Sequence, residues 1–185
     1  MPTRREILKT LALTGAGIIS GGFKLQNILS EKMLTRKIPS SAEELPVIGL
    51  GTWQTFDVGS SESERKALKE VLALMKEKGG KVIDSSPMYG SSEKVVGDLT
   101  AELEIQEHFF YATKVWTSGK EQGINQMNES FGKMKRDKMD LMQIHNLVDW
   151  KTHLKTLRDW KEQSKIRYIG TVSYTHLTLP TNREV

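Results

Sequence analysis

Four ionisable side chains stand where short apolar runs of the sequence give way to loops. Asp84 follows one such run, Tyr89 lies five residues further on, and Lys114 and His145 end the next two runs. A phenol can donate a proton, an ammonium can stabilise the phenolate, a carboxylate can balance that charge, and an imidazole can orient a polar oxygen. Together the four types favour general acid–base chemistry. Taken singly, each also has a structural explanation, as a helix cap, a packed ring, a solvated ammonium or a structural histidine.

The elements that must position these groups follow from the apolar pattern. Five brief apolar segments, bounded by Gly, Ser, Asp or Pro, have the length of buried strands. Ionisable groups attached directly to such strands carry a desolvation cost unless a partner is supplied, so their neighbours matter. The predicted strands cover 46–51, 81–85, 109–115, 140–145 and 166–172.

Helical periodicity fills the segments between the predicted strands. Ser61 and Glu64 have the spacing of a capping box at the start of the first helix, and Gly79 and Gly80 have the position of its stop. A second helix follows Ser91, a third covers about 120–135, and a fourth covers 150–163. Apolar side chains that share one helix face are, in chain order, Leu68, Val71, Leu72 and Met75; Val95, Val96 and Leu99; Ile124, Met127 and Phe131; and Leu154, Leu157 and Trp160.

Alternation of strand and helix at this spacing predicts βαβ units and a parallel sheet of the α/β class. Two architectures satisfy the pattern, a doubly wound open sheet and a closed (β/α) barrel. A dinucleotide-binding open sheet needs G-x-G-x-x-G at its first strand–helix turn. The sequence has Gly49 and Gly51 there but Gln54 at the third position. The dinucleotide-binding sheet is therefore not supported, while a barrel and another open sheet both remain possible. In a parallel barrel the four ionisable residues would share the carboxyl edge of the strands.

Composition excludes several classes of protein. The 185 residues are 37% hydrophobic and 27% charged, which is typical of a globular chain with one compact domain. The absence of Cys excludes disulfide scaffolds, thiolate zinc sites, iron–sulfur clusters and Cys nucleophiles, and four His leave little for a metal cage, so no metal site is predicted. No stretch reaches the roughly 20 apolar residues of a spanning helix.

The net charge of +4 is concentrated near the amino terminus, because residues 1–24 hold four basic residues against Glu6 alone. The rest of the chain is close to neutral and has no basic cluster interleaved with aromatic residues. Nucleic acid is therefore not an expected partner.

Residues 1–24 are similar to a twin-arginine export (Tat) signal. Arg4 and Arg5 precede a mildly apolar, Gly-rich run over 11–22, which is too short for a stable spanning helix. We expect a periplasmic or exported protein that meets the membrane only through this signal. An uncleaved signal would act as an anchor, since no A-x-A site precedes Lys24. The alternative is a cytoplasmic protein in which this segment is a capping helix. Residues 25–33 form a predicted linker.

The residues from about Thr35 to Tyr174 resemble the aldo/keto reductase family. The resemblance rests on Gly49 to Trp53, the Asp84-x4-Tyr89-Gly90 block, Thr113-Lys114 and Ile144-His145. It implies a (β/α)8 TIM barrel, a short hairpin from 34–38 and 45–48 that closes the barrel floor, and NADP(H) bound without a G-x-G-x-x-G motif. It also implies a catalytic tetrad of Asp84, Tyr89, Lys114 and His145.

The implied reaction is reduction of an aldehyde or ketone carbonyl to an alcohol. Tyr89 would give a proton to the carbonyl oxygen with the help of Lys114, Asp84 would hold the ammonium, and His145 would orient the oxygen. The hydride is the cofactor's contribution. Residues expected at the cofactor are Gly51, Thr52, Trp53, Asp84 and Ser173, and Trp116 is a further candidate for an apolar wall.

The chain also departs from the family pattern. Relatives usually end their fifth strand in a Ser-Asn or Thr-His pair, whereas this chain has Ser173 at the Asn position. About five of eight barrel units are expected over 34–174, since a complete barrel takes about 250 residues, and 175–185 form a tail without family resemblance. Two other functions remain open, a non-catalytic cofactor-sensing subunit on the same barrel and an inactive gene fragment.

Overall fold

A β-hairpin precedes the main sheet in the computed structural model, which describes residues 33–173. Strands β1 (Thr35–Lys37) and β2 (Glu44–Pro46) pair in antiparallel register, with Thr35 opposite Pro46. This is the hairpin that the family resemblance implies, with shorter strands. The described residues belong almost entirely to Thr35–Val185, the second of two units into which the chain divides. The predicted signal over 1–24, all of the predicted linker over 25–33 except its last residue, and the tail over 175–185 lie outside the described residues.

Five parallel strands form the main sheet in the order in which they occur in the chain. A doubly wound sheet reverses its strand order part of the way along, whereas consecutive neighbours are the arrangement of a barrel. The barrel prediction is therefore confirmed for these five units. The strands are β3 (Leu50–Gly51), β4 (Val82–Asp84), β5 (Phe110–Val115), β6 (Met139–His145) and β7 (Ile166–Val172).

The first predicted strand, 46–51, is too long. Pro46 belongs to the hairpin, and only Leu50 and Gly51 pair with β4. Gly49 lies against Val82, close enough that an added Cβ would be 3.0 Å from the Val82 Cβ. The apolar run thus contains the end of one element and the start of another, which periodicity alone cannot separate.

Four helices cover the outside of the sheet and bury most of the predicted apolar faces. Val71 is the exception, because its side chain is 42% exposed although the periodicity placed it on the apolar face of the first helix. Leu72, Val95, Val96, Leu99, Met127 and Leu157 are fully buried, and the core lies between these helix faces and the strands. The bounds are α1 (Glu62–Glu77), α2 (Ser92–Glu102), α3 (Lys120–Lys133) and α4 (Trp150–Glu162), with a short 3₁₀ turn at Gln106–His108 between α2 and β5.

The two ends of α1 give different outcomes. Gly79 has φ +81° and follows the helix directly, as predicted, and the Gly80 N–H donates to the Met75 carbonyl in a Schellman-type stop. The predicted capping box does not form, because Ser61 occupies the N-cap position without a side-chain hydrogen bond. Glu62 and Glu64 are exposed, so water can satisfy the first N–H groups of the helix.

Candidate active site

A buried ion pair occupies the carboxyl edge of the sheet. Lys114, near the end of β5, is only 2% exposed, and its Nζ donates to Asp84 Oδ2 at 2.6 Å and to the Ser85 carbonyl at 2.7 Å. Asp84 ends the neighbouring strand β4, and its side chain is 38% exposed. A buried ammonium is stable only when it is paired and hydrogen-bonded, and both requirements are met here. The pair predicted from the sequence is thus present.

The loop after β4 places Tyr89 beside this pair. The Tyr89 ring centroid lies 5.0 Å from Lys114 Nζ, a cation–π distance. The loop is fixed by Asp57, whose Oδ1 accepts both the N–H and the hydroxyl of Ser91 at 2.8 Å. Gly90 has φ +56°, and any Cβ there would overlap the Asp57 carboxylate. The Tyr89-Gly90 sequence therefore allows the close approach that positions the phenol.

His145 ends β6 on the same edge of the sheet. Its side chain is largely buried, and its ring centroid is 4.7 Å from that of Trp116. Burial lowers the pKa of His145 below its ordinary value, the Lys114 ammonium lowers it further, and the Asp84 carboxylate opposes the change. Its Nδ1 is buried and has no hydrogen-bond partner within residues 33–173. The lowered pKa favours the neutral form of the imidazole.

A cavity of about 280 Å³ lies against these groups. Three aromatic rings form much of its wall, and the Trp53 and Tyr89 ring centroids are 6.4 Å apart. Tyr89 and His145 contribute directly to the wall, so a phenol and an imidazole face one apolar space. Such a space, with a few convergent polar groups, is typical of a small-molecule site. Its lining residues are Trp53, Met88, Tyr89, Trp116, His145 and Asn146.

The residues predicted at the cofactor also lie at this edge. Gly51 pairs with Asp84 at the end of β3, and no atom lies within 4 Å of a Cβ added there. Thr52 is fully buried, and its hydroxyl donates to the Ser85 hydroxyl at 2.9 Å and contacts the Asp84 carbonyl at 3.1 Å. Ser173 is half-buried and directly follows β7. The hydroxyl of Thr52 is therefore already engaged inside the protein.

Two polar residues near the ion pair were not predicted. Gln143 lies opposite Lys114 in the β5–β6 register, and its Nε2 donates to Asp84 Oδ1 at 3.0 Å. Its position two residues before His145 places both side chains on one strand face, a signal the sequence does contain. Glu93 on α2 accepts from the Thr113 hydroxyl at 2.5 Å, and burial raises the pKa of its carboxyl. Gln143 thus holds the Asp84 oxygen that Lys114 does not bind. Glu93 holds Thr113, the residue before Lys114.

Residues 33–173 contain no group of three or more His, Asp or Glu side chains arranged to hold a metal ion. No helix within the same range has the length and apolar character needed to span a bilayer.

The fold and the site define a β/α-barrel protein with acid–base side chains gathered at the carboxyl edge of its strands. The chain belongs to the aldo/keto reductase family, whose sequence model matches residues 47–179. That match ends five residues beyond the barrel boundary predicted at 174.

Curated relatives match only part of their own length. The methylglyoxal reductase YeaE of Escherichia coli (strain K12) is 35% identical over 105 residues, which are 55% of this chain and 35% of that protein. The NADP-dependent D-sorbitol-6-phosphate dehydrogenase of Malus domestica is 33% identical over 111 residues, 57% of this chain and 33% of that protein. The chain thus spans about a third to a half of the length of its curated relatives.

Solved structures show the same architecture. An aldo/keto reductase from Brucella melitensis superposes with a TM-score of 0.64 at 25% identity, over 77% of this chain and 55% of that one. One from Klebsiella pneumoniae, solved in complex with NADP and acetate, gives a TM-score of 0.61 at 24% identity, over 70% of this chain and 46% of that one. The likeness at this level of identity confirms the barrel fold.

Proposed function

We propose that the whole protein reduces aldehyde or ketone carbonyls to alcohols with NADPH. The observation that carries this proposal is the position of the Lys114 ammonium, which lies between the Asp84 carboxylate and the Tyr89 ring beside an apolar cavity. Reduction of a carbonyl generates negative charge on its oxygen, and a proton donor next to a fixed cation stabilises that charge. Relatives whose names give methylglyoxal reductase and aldehyde reductase activities support the same reaction class.

Each of the four residues has a role in this proposal. Tyr89 gives its phenolic proton to the carbonyl oxygen, and Lys114 stabilises the phenolate that remains. Asp84 holds the ammonium in place, and its second oxygen is held in turn by Gln143. His145 is neutral at physiological pH, because its pKa is lowered, and it can hydrogen-bond the substrate oxygen without adding a charge.

The residues at the edge fit a nicotinamide cofactor. The open space at the Gly51 Cβ position leaves room for a flat ring at the end of β3, and the aromatic cavity begins two residues further on at Trp53. Gly51, Trp53, Asp84 and Ser173 would hold the nicotinamide end. Thr52 is fully buried and its N–H, carbonyl and hydroxyl are all bonded inside the protein, so it would act by fixing its neighbours Gly51 and Trp53. The cofactor supplies the hydride when bound. The Malus domestica relative is NADP-dependent by name, which supports NADP(H).

Substitution of the proposed acid tests this function on the full-length protein. Tyr89→Phe and Lys114→Met should each lower the turnover of an aldehyde with NADPH at least about 10²-fold, because general acid catalysis is typically worth that much. Turnover is followed by the loss of NADPH absorbance, and cofactor affinity is measured separately by fluorescence titration. Tyr168→Phe is a matched control, because the Tyr168 hydroxyl bonds to Glu43 and Ser41 in the hairpin region.

The outcomes separate the candidate functions. Near-normal turnover in Tyr89→Phe contradicts the catalytic role of the phenol. Cofactor binding without turnover in the parent protein favours the cofactor-sensing alternative instead.

We also propose that this reductase acts outside the cytoplasm. The support is Arg4-Arg5 and the Gly-rich apolar run behind them. A cofactor-loaded barrel has reason to cross a membrane already folded, and the twin-arginine route carries folded cargo.

A further inference from the structure

The loop that carries Trp116 is fastened to two helices at three successive points. The Trp116 N–H donates to Gln126 Oε1 on α3 at 2.6 Å. The Thr117 carbonyl lies 2.7 Å from His153 Nε2 on α4. The Gly119 N–H donates to Asp149 Oδ2 at 2.8 Å, immediately before α4. A loop of four residues therefore has little freedom to move relative to these helices.

His153 is held in one orientation, with a hydrogen on Nε2. The residue is fully buried, and a carbonyl oxygen can only accept, so Nε2 must carry the hydrogen that Thr117 receives. Nδ1 has no hydrogen-bond partner among residues 33–173 and faces Gly123 on α3. A Cβ added at Gly123 would lie 2.6 Å from Nδ1 and would overlap Cε1. The absence of a side chain at Gly123 is what makes space for the ring.

Asp149 connects the same loop to the segment after His145. Asn146, Leu147 and Asp149 all have positive φ, between 43° and 55°, which side chains seldom adopt. Such a strained segment persists only where its surroundings determine it. Both carboxylate oxygens of Asp149 hold this segment in place. Oδ1 accepts a hydrogen bond from the Thr152 hydroxyl at 2.7 Å, and Oδ2 accepts one from the Gly119 N–H. The loops after β5 and β6 are thereby fixed to each other.

Trp116 is the first residue of the loop after β5. Its ring packs against His145 and lines the cavity, yet it is 36% exposed, so packing alone does not confine it. We propose that His153 and Asp149 are positioning residues that hold Trp116 against His145. They thereby set the space available to a flat apolar substituent on the substrate carbonyl. The substrate part of this inference rests on the proposed function, whereas the position of the Trp116 ring does not.

Two pairs of variants of the full-length protein test the proposal. His153→Leu removes the donor to Thr117, whereas His153→Gln keeps an N–H at a similar reach and should rescue the contact. Gly123→Ala places a methyl group on α3 that should push the His153 ring out of its position on α4. Gly132→Ala is its matched control, because Gly132 lies on the same helix and nothing lies within 4 Å of its added Cβ.

The first readout is the ring itself. With 5-fluorotryptophan incorporated, the fluorine spectrum shows one resonance for each Trp residue, and a Trp116→Phe sample assigns the one of interest. We expect the Trp116 resonance to shift or broaden in His153→Leu and Gly123→Ala. It should coincide with the parent in His153→Gln and Gly132→Ala, and the Trp53 resonance should be unchanged in all four.

The second readout is substrate selection. In His153→Leu and Gly123→Ala the KM for an aryl aldehyde should rise roughly tenfold, because a small misfit in an apolar pocket changes substrate discrimination by about that factor. The kcat for a small aliphatic aldehyde should stay the same as in the parent protein. An unchanged Trp116 resonance in both folded variants overturns the proposal, as does an equal shift in Gly132→Ala. If both variants fail to fold, the contacts support the whole domain and the proposal is wrong. A parent without turnover contradicts the proposed function alone, because the fluorine spectra still decide the position of Trp116.

Discussion

Lys114 shows how one residue sets the properties of its neighbours. Its side chain is 3% exposed while that of its partner Asp84 is 38% exposed, so the cation carries most of the desolvation cost of the pair. Removal of Asp84 would leave a buried ammonium without the carboxylate that balances its charge, although the Ser85 carbonyl still accepts a hydrogen bond from it. The same charge acts on His145, where it adds to burial in lowering the pKa.

The effect on His145 gives a prediction about pH. Lys114→Met should raise the pKa of His145, because the substitution removes a nearby positive charge and leaves the Asp84 carboxylate, which acts in the opposite direction. Proton NMR of the His145 Cε1–H resonance across pH 5 to 8 measures this. His108 is the control, since it bonds to the Gly80 carbonyl at the other end of the strands. A titration of His145 that is the same in both proteins would contradict the assigned cause.

The sign of the linked stability follows from the same pKa. The folded value lies below the ordinary value of about 6.5, so the unfolded chain takes up the proton first as pH falls. The contribution of His145 to stability is therefore complete above the unfolded value and is lost as pH falls below it toward the folded value.

Residue types and strand-end positions were enough to predict the ion pair, the phenol and the imidazole. They were not enough for Gln143 or Glu93. Gln143 becomes significant only because the β5–β6 register places it opposite Lys114. Glu93 lies in the first turn of α2, where a solvated carboxylate at a helix N-terminus would be the ordinary expectation. Its burial depends on how α2 packs against β5, which no local pattern contains.

At the scale of elements, periodicity predicted the four helices, but it did not predict how closely two of them approach. Gly97 lies in the middle of α2, where a glycine costs helix stability. In the structure a Cβ at Gly97 would overlap the Lys133 carbonyl oxygen and lie 2.7 Å from the Met134 Cα, just past the end of α3. The glycine therefore permits a backbone-to-backbone contact between the helices.

This contact predicts opposite effects for two glycine substitutions. Gly97→Ala should lower the free energy of unfolding by about 1–3 kcal/mol, because backbone atoms must move apart to admit the methyl group. Gly132→Ala should raise it by up to about 1 kcal/mol, since alanine favours the helix and meets nothing. Urea unfolding followed by circular dichroism measures both. Equal stabilities for the two variants would show that α2 and α3 can separate at little cost.

At the scale of the whole molecule, the described residues make up five consecutive units of a barrel. The sequential order β3 to β7 brings Asp84, Lys114 and His145 to one edge without any long connection between them. The hairpin is fastened to the other end of the sheet, since Glu43 accepts from Arg167 and from the Tyr168 hydroxyl at the start of β7. The number of strands and the edge of the sheet that carries the site could be predicted from the spacing of the apolar runs. The Glu43 contact could not, because it joins residues more than 120 positions apart and no local sequence pattern indicates it.

The predicted export signal over 1–24 lies outside the described residues. Its test depends on recognition of the arginine pair Arg4-Arg5. Residues 1–34 fused to a folded reporter should direct it to the bacterial periplasm, as measured by cell fractionation. Arg4→Lys together with Arg5→Lys keeps the charge of the segment and should retain the reporter in the cytoplasm, because the route reads arginine rather than positive charge. Lys9→Arg is the matched control, since it makes the same type of exchange outside the pair and should leave export intact. Export of the double-Lys variant at the level of the parent would favour a general secretory signal, and retention of every fusion in the cytoplasm would favour a structural helix.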